Sequence, residues 1–271
     1  MYISVKDHKS YCYTGGKTMD TSKPTVVFIH GVLNDHSVWI LQSRYMANHG
    51  WNVLAVDLPG HCRSEGDAPA SVEEAALFIE ALLDAAGVQR AALVGHSWGS
   101  LIALETASRL KDRITHLVMV GTAFPMKVSQ ALLDASLNEP MVALKMINVF
   151  SRSTLAAPPS ALGPGTWVYG SSMALGRRVL ASNTKVNVFH RGFKACNDYA
   201  SGDTAITQIS CPVLFLLGAQ DQMTQAKAAG LLIDKAKGSG KTLKVVNLAV
   251  GHHQMTESPE ETLFAIRDFL Q

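Results

Sequence analysis

Two rhythms of apolar residues alternate along this chain. Unbroken runs rich in Val, Ile and Leu mark strands buried on both faces. Apolar residues three or four apart mark helices with one buried side. By that criterion strands are predicted over 25–29, 51–56, 91–94, 114–120, 211–217 and 243–248. Helices are predicted over 37–49, 71–86, 98–110 and 224–237, with another from 258 onward. Residues 2–5 and 10–14 are β-rich, with Asp7-His8-Lys9 between them, and predict a hairpin at a sheet edge. Gly50 and Gly87 stand where helices end. Ser71-Val72-Glu73-Glu74 and Ser258-Pro259-Glu260-Glu261 read as capping boxes, the second with Pro at the first helical position.

This alternation predicts an α/β fold: a mostly parallel central sheet of about eight strands, with an N-terminal antiparallel hairpin, flanked by helices. From 123 to 209 the strand signal stops. Helical spacing appears in 126–137, 141–149 and 168–180, interrupted by Pro158, Pro159, Gly163, Pro164 and Gly165. The expected organisation is a core of 1–122 and 210–271 with an inserted helical cap over 123–209. The insertion carries Met141, Met146, Phe150, Trp167 and Met173. Most such residues pack its own interior, and some face a site below it.

Composition narrows the function. With 47% hydrophobic and 17% charged residues among 271, a sizeable core is available and disorder is not expected. A net charge of +2 without a basic cluster argues against nucleic-acid and membrane partners. The four cysteines form no C-x-x-C pair and no metal-spaced His/Cys group. Free thiols, and no metal or cofactor, are expected. There is no apolar leader and no apolar run of transmembrane length, so a cytoplasmic protein is expected, as a monomer or homodimer.

The chemistry concentrates at Gly95-His96-Ser97-Trp98-Gly99, between the strand 91–94 and the helix 98–110. A strand that turns into a helix within two residues forces the turning residue into strained backbone, and the flanking positions must pass close by without a Cβ. The apical serine projects from the sheet, and the helix start behind it offers unpaired N–H groups and a positive partial charge. This is the G-x-S-x-G nucleophile elbow, and on it the chain resembles the α/β-hydrolase family. The loop Asp57-Leu58-Pro59-Gly60-His61 also resembles a pattern common there, and Asp57 is read as structural. The resemblance covers nearly the whole chain; the insertion matches in general character.

The resemblance implies a triad in the order serine, acid, histidine. Ser97, Asp221 and His252 follow that order, the last two just beyond predicted strands, and strand ends of a parallel sheet share one edge. Of the adjacent His252 and His253, the family's Gly-His pair selects His252 as base. Some members of that family carry the acid after the preceding strand, but here that strand ends in Val120-Gly121-Thr122-Ala123 without a carboxylate, which favours Asp221 as the acid. The oxyanion hole is implied at the amides of Trp98, after the nucleophile, and Val32, in the His30-Gly31-Val32 loop. Leu33, Trp167, Met173 and His253 are the expected substrate contacts, in a mainly apolar pocket. The implied activity is hydrolysis of a small-molecule ester or related acyl compound. Carbon–carbon bond hydrolysis and cofactor-free haloperoxidase or perhydrolase chemistry share the triad, and a receptor-like member without turnover is the non-enzyme alternative. Epoxide hydrolases and dehalogenases use Asp where Ser97 stands. Fold alone separates none of the triad-bearing alternatives.

Overall fold

The computed structural model describes residues 1–152 and 168–271. Its frame is an eight-stranded sheet: β1 (Tyr2–Val5), β2 (His8–Tyr13), β3 (Thr25–Ile29), β4 (Asn52–Val56), β5 (Ala91–His96), β6 (Ile114–Val120), β7 (Val213–Gly218) and β8 (Leu243–Leu248). They lie in the order β1-β2-β4-β3-β5-β6-β7-β8. The six strands from β3 to β8 are parallel, while β2 runs antiparallel to both β1 and β4. Every residue of β3, β4, β5 and β7 is buried, as their unbroken apolar runs require. The edge strand β8 is only partly covered.

The helices are α1 (Ile40–Asn48), α2 (Val72–Ala85), α3 (Trp98–Leu110), α4 (Gln130–Asn138), α5 (Pro140–Phe150), α6 (Val168–Ser182), α7 (Val188–Asp198), α8 (Gly202–Gln208), α9 (Gly230–Gly238), α10 (Gln254–Glu257) and α11 (Pro259–Leu270). Alternate strand residues feed opposite layers. Val27, Ile29, Leu93 and Phe215 face a core shared with α2, α3 and α9. Val26, Phe28, Val94 and Leu214 face one shared with α1 and α11. A third cluster packs α4 to α7 against Leu33 and Ala68. The last helix of the excursion between β6 and β7, α8, packs against α3 and α9. No helix among the described residues is long and apolar enough to cross a membrane.

Several local expectations shift where a side chain claims a backbone group. The predicted helix at 37–49 opens with a 3₁₀ turn, His36–Trp39, because Asp35 accepts the Ser37 N–H at 2.9 Å. Helix α4 starts at Gln130 rather than 126, since Ser129 caps it through Leu132 N. Residues 224 and 225 are not helical: Asp221 Oδ1 holds the Met223 and Thr224 amides, and a 3₁₀ turn, Ala226–Ala229, precedes α9. Ser71 caps α2 as read, but the Glu74 carboxylate reaches back to Ala70 N rather than to Ser71. Ser258 stands at the N-cap of α11 but makes no side-chain cap; its hydroxyl donates to Glu261 at 2.5 Å.

Candidate active site

The chain order reverses between β3 and β5, so the loops leaving these strands diverge and open a crevice at their C-terminal ends. Ser97 stands in that crevice, at φ 53° and ψ −121°, a conformation costly for a residue with a Cβ. The flanking glycines permit it. A Cβ on Gly95 would lie 2.0 Å from Gly99 O, and one on Gly99 would lie 2.4 Å from Ile29 O. Strand, helix and the end of β3 therefore touch backbone to backbone. The Ser97 amide donates to Val120 O at 2.9 Å, tying the apex to β6.

After β3, residues 30–34 form a tight turn, with Asn34 N donating to Gly31 O at 3.3 Å. A Cβ on Gly31 would lie 2.9 Å from His96 Nδ1 and 3.1 Å from Ser97 Cβ, so the turn that carries Val32 rests on the turn that carries Ser97. His30 Nδ1 is 2.8 Å from Gly31 O, and its Nε2 accepts the Leu58 amide at 3.1 Å. Both ring nitrogens are used in bracing, and burial pulls its pKa down. Trp98, the first residue of α3, is buried beside this turn.

His252 follows β8. Its Nδ1 lies 2.8 Å from Asp221 Oδ2. Burial alone would raise the Asp221 carboxyl; the facing imidazole and the hydrogen bonds from His252 and Thr224 outweigh it and hold the carboxyl below the ordinary carboxylate range. The His252 backbone is held as tightly. Its N–H donates to Ser151 O at 2.7 Å, just beyond α5, and its carbonyl accepts from His96 Nε2 at 2.8 Å. Gln254, with its amide nitrogen turned toward His252 O, adds a further donor and takes the Gly218 N–H on its oxygen.

Ser97 and His252 line one cavity of about 280 Å3. Its apolar wall comes from Met126, Leu132, Met146, Phe150, Phe193 and Met223, and its polar contacts include Lys127 and Gln222. Among the described residues Ser97 Oγ makes no hydrogen bond.

Of the expected substrate contacts, Leu33, Met173 and His253 do not line this cavity. Leu33 and His253 line a separate cavity of about 50 Å3 beside α5 and α6. Leu33 adopts φ 57°, and its side chain joins the cluster under the excursion and packs toward Gly176. His253 precedes α10; burial, then His96, Arg152 and His252, drive its pKa well down. Met173 lines neither cavity, and its sulfur accepts from Asn148 Nδ2 at 3.4 Å. Trp167 lies outside the described residues.

Met146 and Phe150, among the insertion residues some of which were expected to face a site, do line the cavity; its other wall residues were not singled out as contacts, and one polar group escaped the sequence reading. Thr224 is buried, with its hydroxyl oxygen 2.8 Å from Asp221 Oδ2, 3.0 Å from His252 Nδ1 and 2.9 Å from Gly121 O. No sequence signal distinguishes it from any threonine after a strand. The ligand atoms of Asp35, His36 and Asp57 also lie close enough to share a cation. Their oxygens already accept from Ser37, Arg178, His36 and the Arg63 amide, which accounts for them as loop bracing.

A sequence profile of the alpha/beta hydrolase fold matches residues 24–259. The chain is 32% identical over 132 residues to epoxide hydrolase 3 of Xenopus tropicalis, covering 46% of this chain but only 34% of that protein. It is 26% identical over 268 residues to human monoglyceride lipase, covering 91% of this chain and 80% of the lipase. Among solved structures it resembles the enol-lactonase of Burkholderia xenovorans LB400, with a TM-score of 0.80 at 20% identity, covering 100% of this chain and 99% of the lactonase.

Proposed function

The chain belongs to the alpha/beta hydrolase fold family, and on that premise we propose that it is a serine hydrolase of carboxylic esters or related acyl compounds. Ser97 Oγ attacks the carbonyl carbon as its proton passes to His252 Nε2. Asp221, kept ionised, holds the imidazole in the tautomer with Nδ1 protonated and stabilises the cation that forms. The amides of Val32 and Trp98 receive the developing oxyanion, each worth about 3 kcal/mol in such sites. His252 returns the proton to the departing alcohol. Water, activated by the same histidine, then releases the acid from Ser97.

One observation carries this reading. A serine at a strained apex shares a cavity with an imidazole whose other nitrogen is bonded to a buried carboxylate. Among the described residues the serine hydroxyl makes no hydrogen bond, which leaves it available to His252 across the shared cavity. Within the excursion between β6 and β7, α4, α5 and α7 serve as a cap and contribute Leu132, Met146, Phe150 and Phe193 to the cavity wall. The mainly apolar wall favours an uncharged acyl group, and a carboxylic ester is a substrate class that places such a group beside a serine nucleophile. Similarity to an epoxide hydrolase does not carry its chemistry across, because Ser97 stands where those enzymes use Asp.

A fluorophosphonate probe tests the reading. The wild type is expected to be labelled and Ser97→Ala not; an unlabelled wild type, or equal labelling of the two, would sink it. Hydrolysis of p-nitrophenyl esters of rising acyl length tests the pocket, and a preference for charged acyl groups would count against it.

A further inference from the structure

We propose that Thr224 is a positioning residue for the acid–base pair, its hydroxyl oxygen acting as a second acceptor for the His252 Nδ1 proton. The proposal rests on His252 being the base. Thr224 Oγ1 sits within 3.0 Å of His252 Nδ1, Asp221 Oδ2 and Gly121 O. A carboxylate oxygen and a carbonyl oxygen only accept. The ring nitrogen is therefore the one donor facing the hydroxyl, because Nδ1 carries a proton whenever Nε2 is free to take one from Ser97.

The residue cannot drift. Its amide donates to Asp221 Oδ1 at 2.8 Å, and its side chain is buried between the end of β6 and the loop after β7. The hydroxyl hydrogen goes to an acceptor, Gly121 O or the carboxylate, and leaves lone-pair density toward Nδ1. The imidazole N–H then meets two oxygens that are 2.8 Å apart. Two acceptors define the plane of the ring where one would leave it free to swing about Asp221. When the Ser97 proton reaches Nε2, the positive charge spreads to Nδ1. The Nδ1 proton stays in place, and the threonine dipole joins the carboxylate in stabilising it.

The test compares Thr224→Val, which keeps the shape and loses the hydroxyl, with Thr224→Ser, which keeps the hydroxyl and loses the methyl. Thr224→Val is expected to lower kcat for p-nitrophenyl butyrate by roughly 10- to 100-fold, the scale of a hydrogen bond to a charged group, with KM essentially unchanged. Thr224→Ser is expected to recover most of the rate. Proton NMR supplies an arm that needs no turnover: the downfield resonance of the His252 Nδ1 proton, identified by its loss in His252→Ala, moves in Thr224→Val and stays in Thr224→Ser. Thr224→Ala repeats both comparisons should the valine variant fail to fold. Wild-type rates in the variants lacking the hydroxyl, a serine variant as damaged as the valine one, or an unmoved resonance would overturn the proposal. Fluorophosphonate labelling of the wild type separates the two readings. If labelling fails, the assignment of the base falls while the resonance still decides the contact; if it succeeds and Thr224→Val is silent, only the role of Thr224 falls.

Discussion

Gly99→Ala sets two effects of opposite sign against each other. Gly99 lies in the first turn of α3, where alanine is ordinarily the better helix former by about 1 kcal/mol. A Cβ there would stand 2.4 Å from Ile29 O and 2.6 Å from His30 O. Both oxygens belong to the main chain at the end of β3, so neither swings aside. Ordinary contact begins near 3.4 Å, and α3 must back away from β3 by about 1 Å to restore it. Overpacking of that kind costs about 1–3 kcal/mol or more and exceeds the propensity gain. The site suffers more than the fold. Backing α3 away carries Ser97 and the Trp98 amide off the Val32 turn, and a misplacement of about 1 Å costs on the order of 100-fold in rate. Gly99→Ala is therefore expected to lower kcat/KM for a p-nitrophenyl ester by about 100-fold, slow fluorophosphonate labelling, and reduce urea-unfolding stability by about 1–2 kcal/mol. Gly230→Ala is the control. That residue begins α9 at φ −54° with nothing within 4 Å of the added Cβ, so unchanged kinetics and a gain of up to about 1 kcal/mol are expected. Wild-type kinetics and stability in Gly99→Ala would refute the close-packed elbow.

Acid should destabilise the fold well above the carboxylate range. Burial, reinforced by neighbouring histidines, drives His61 and His96 to about 3. Below pH about 6.5 the unfolded chain takes up these protons and the folded chain does not. Stability is therefore complete above that pH and is lost toward pH about 3, by up to about 1.4 kcal/mol per pH unit per histidine. Urea unfolding at about pH 7.5 and about pH 5 checks this, and equal stability at the two would refute it. Arg178 of α6 bonds Asp35 Oδ2 at 2.6 Å, with the arginine side chain 57% exposed and the aspartate 2%. Because the arginine is solvated and Asp35 keeps its Ser37 donors, Arg178→Met is expected to cost only about 1 kcal/mol in urea unfolding, and a loss several times larger would contradict that. Leu132→Trp extends bulk into the 280 Å3 cavity. It should shift the p-nitrophenyl preference toward acetyl and propionyl esters, and an unchanged chain-length profile would remove Leu132 from the acyl pocket.

Periodicity is a local property, and what it encodes was legible. The bounds of β6, α3 and β8 coincide with the apolar runs and helical spacing that predict them. The elbow was legible as a motif: Gly95 must lie against Gly99 four residues on, a short-range constraint, although Gly99 itself is required by the distant end of β3. The parallel sheet followed from alternation, and alternation with the strand ends placed Ser97, Asp221 and His252 toward one edge. Side chains that bond across loops were not legible. Thr224 reads as the start of a helix until Asp221 claims its amide, and its hydroxyl finds a carbonyl 103 residues away. Leu33 follows Val32 in the turn after β3, yet a left-handed backbone turns it into the cluster under the excursion. The Ser151 carbonyl that holds His252 has no signature at all. The chain's own pattern determined the strands, the sheet type and the place of the strained serine, because apolar periodicity, the alternation of elements and the glycine spacing are all written along the chain. Only the folded molecule decided which residues wall the cavity and which hydroxyl meets the imidazole, because those contacts are set by how distant helices and loops stack on the sheet.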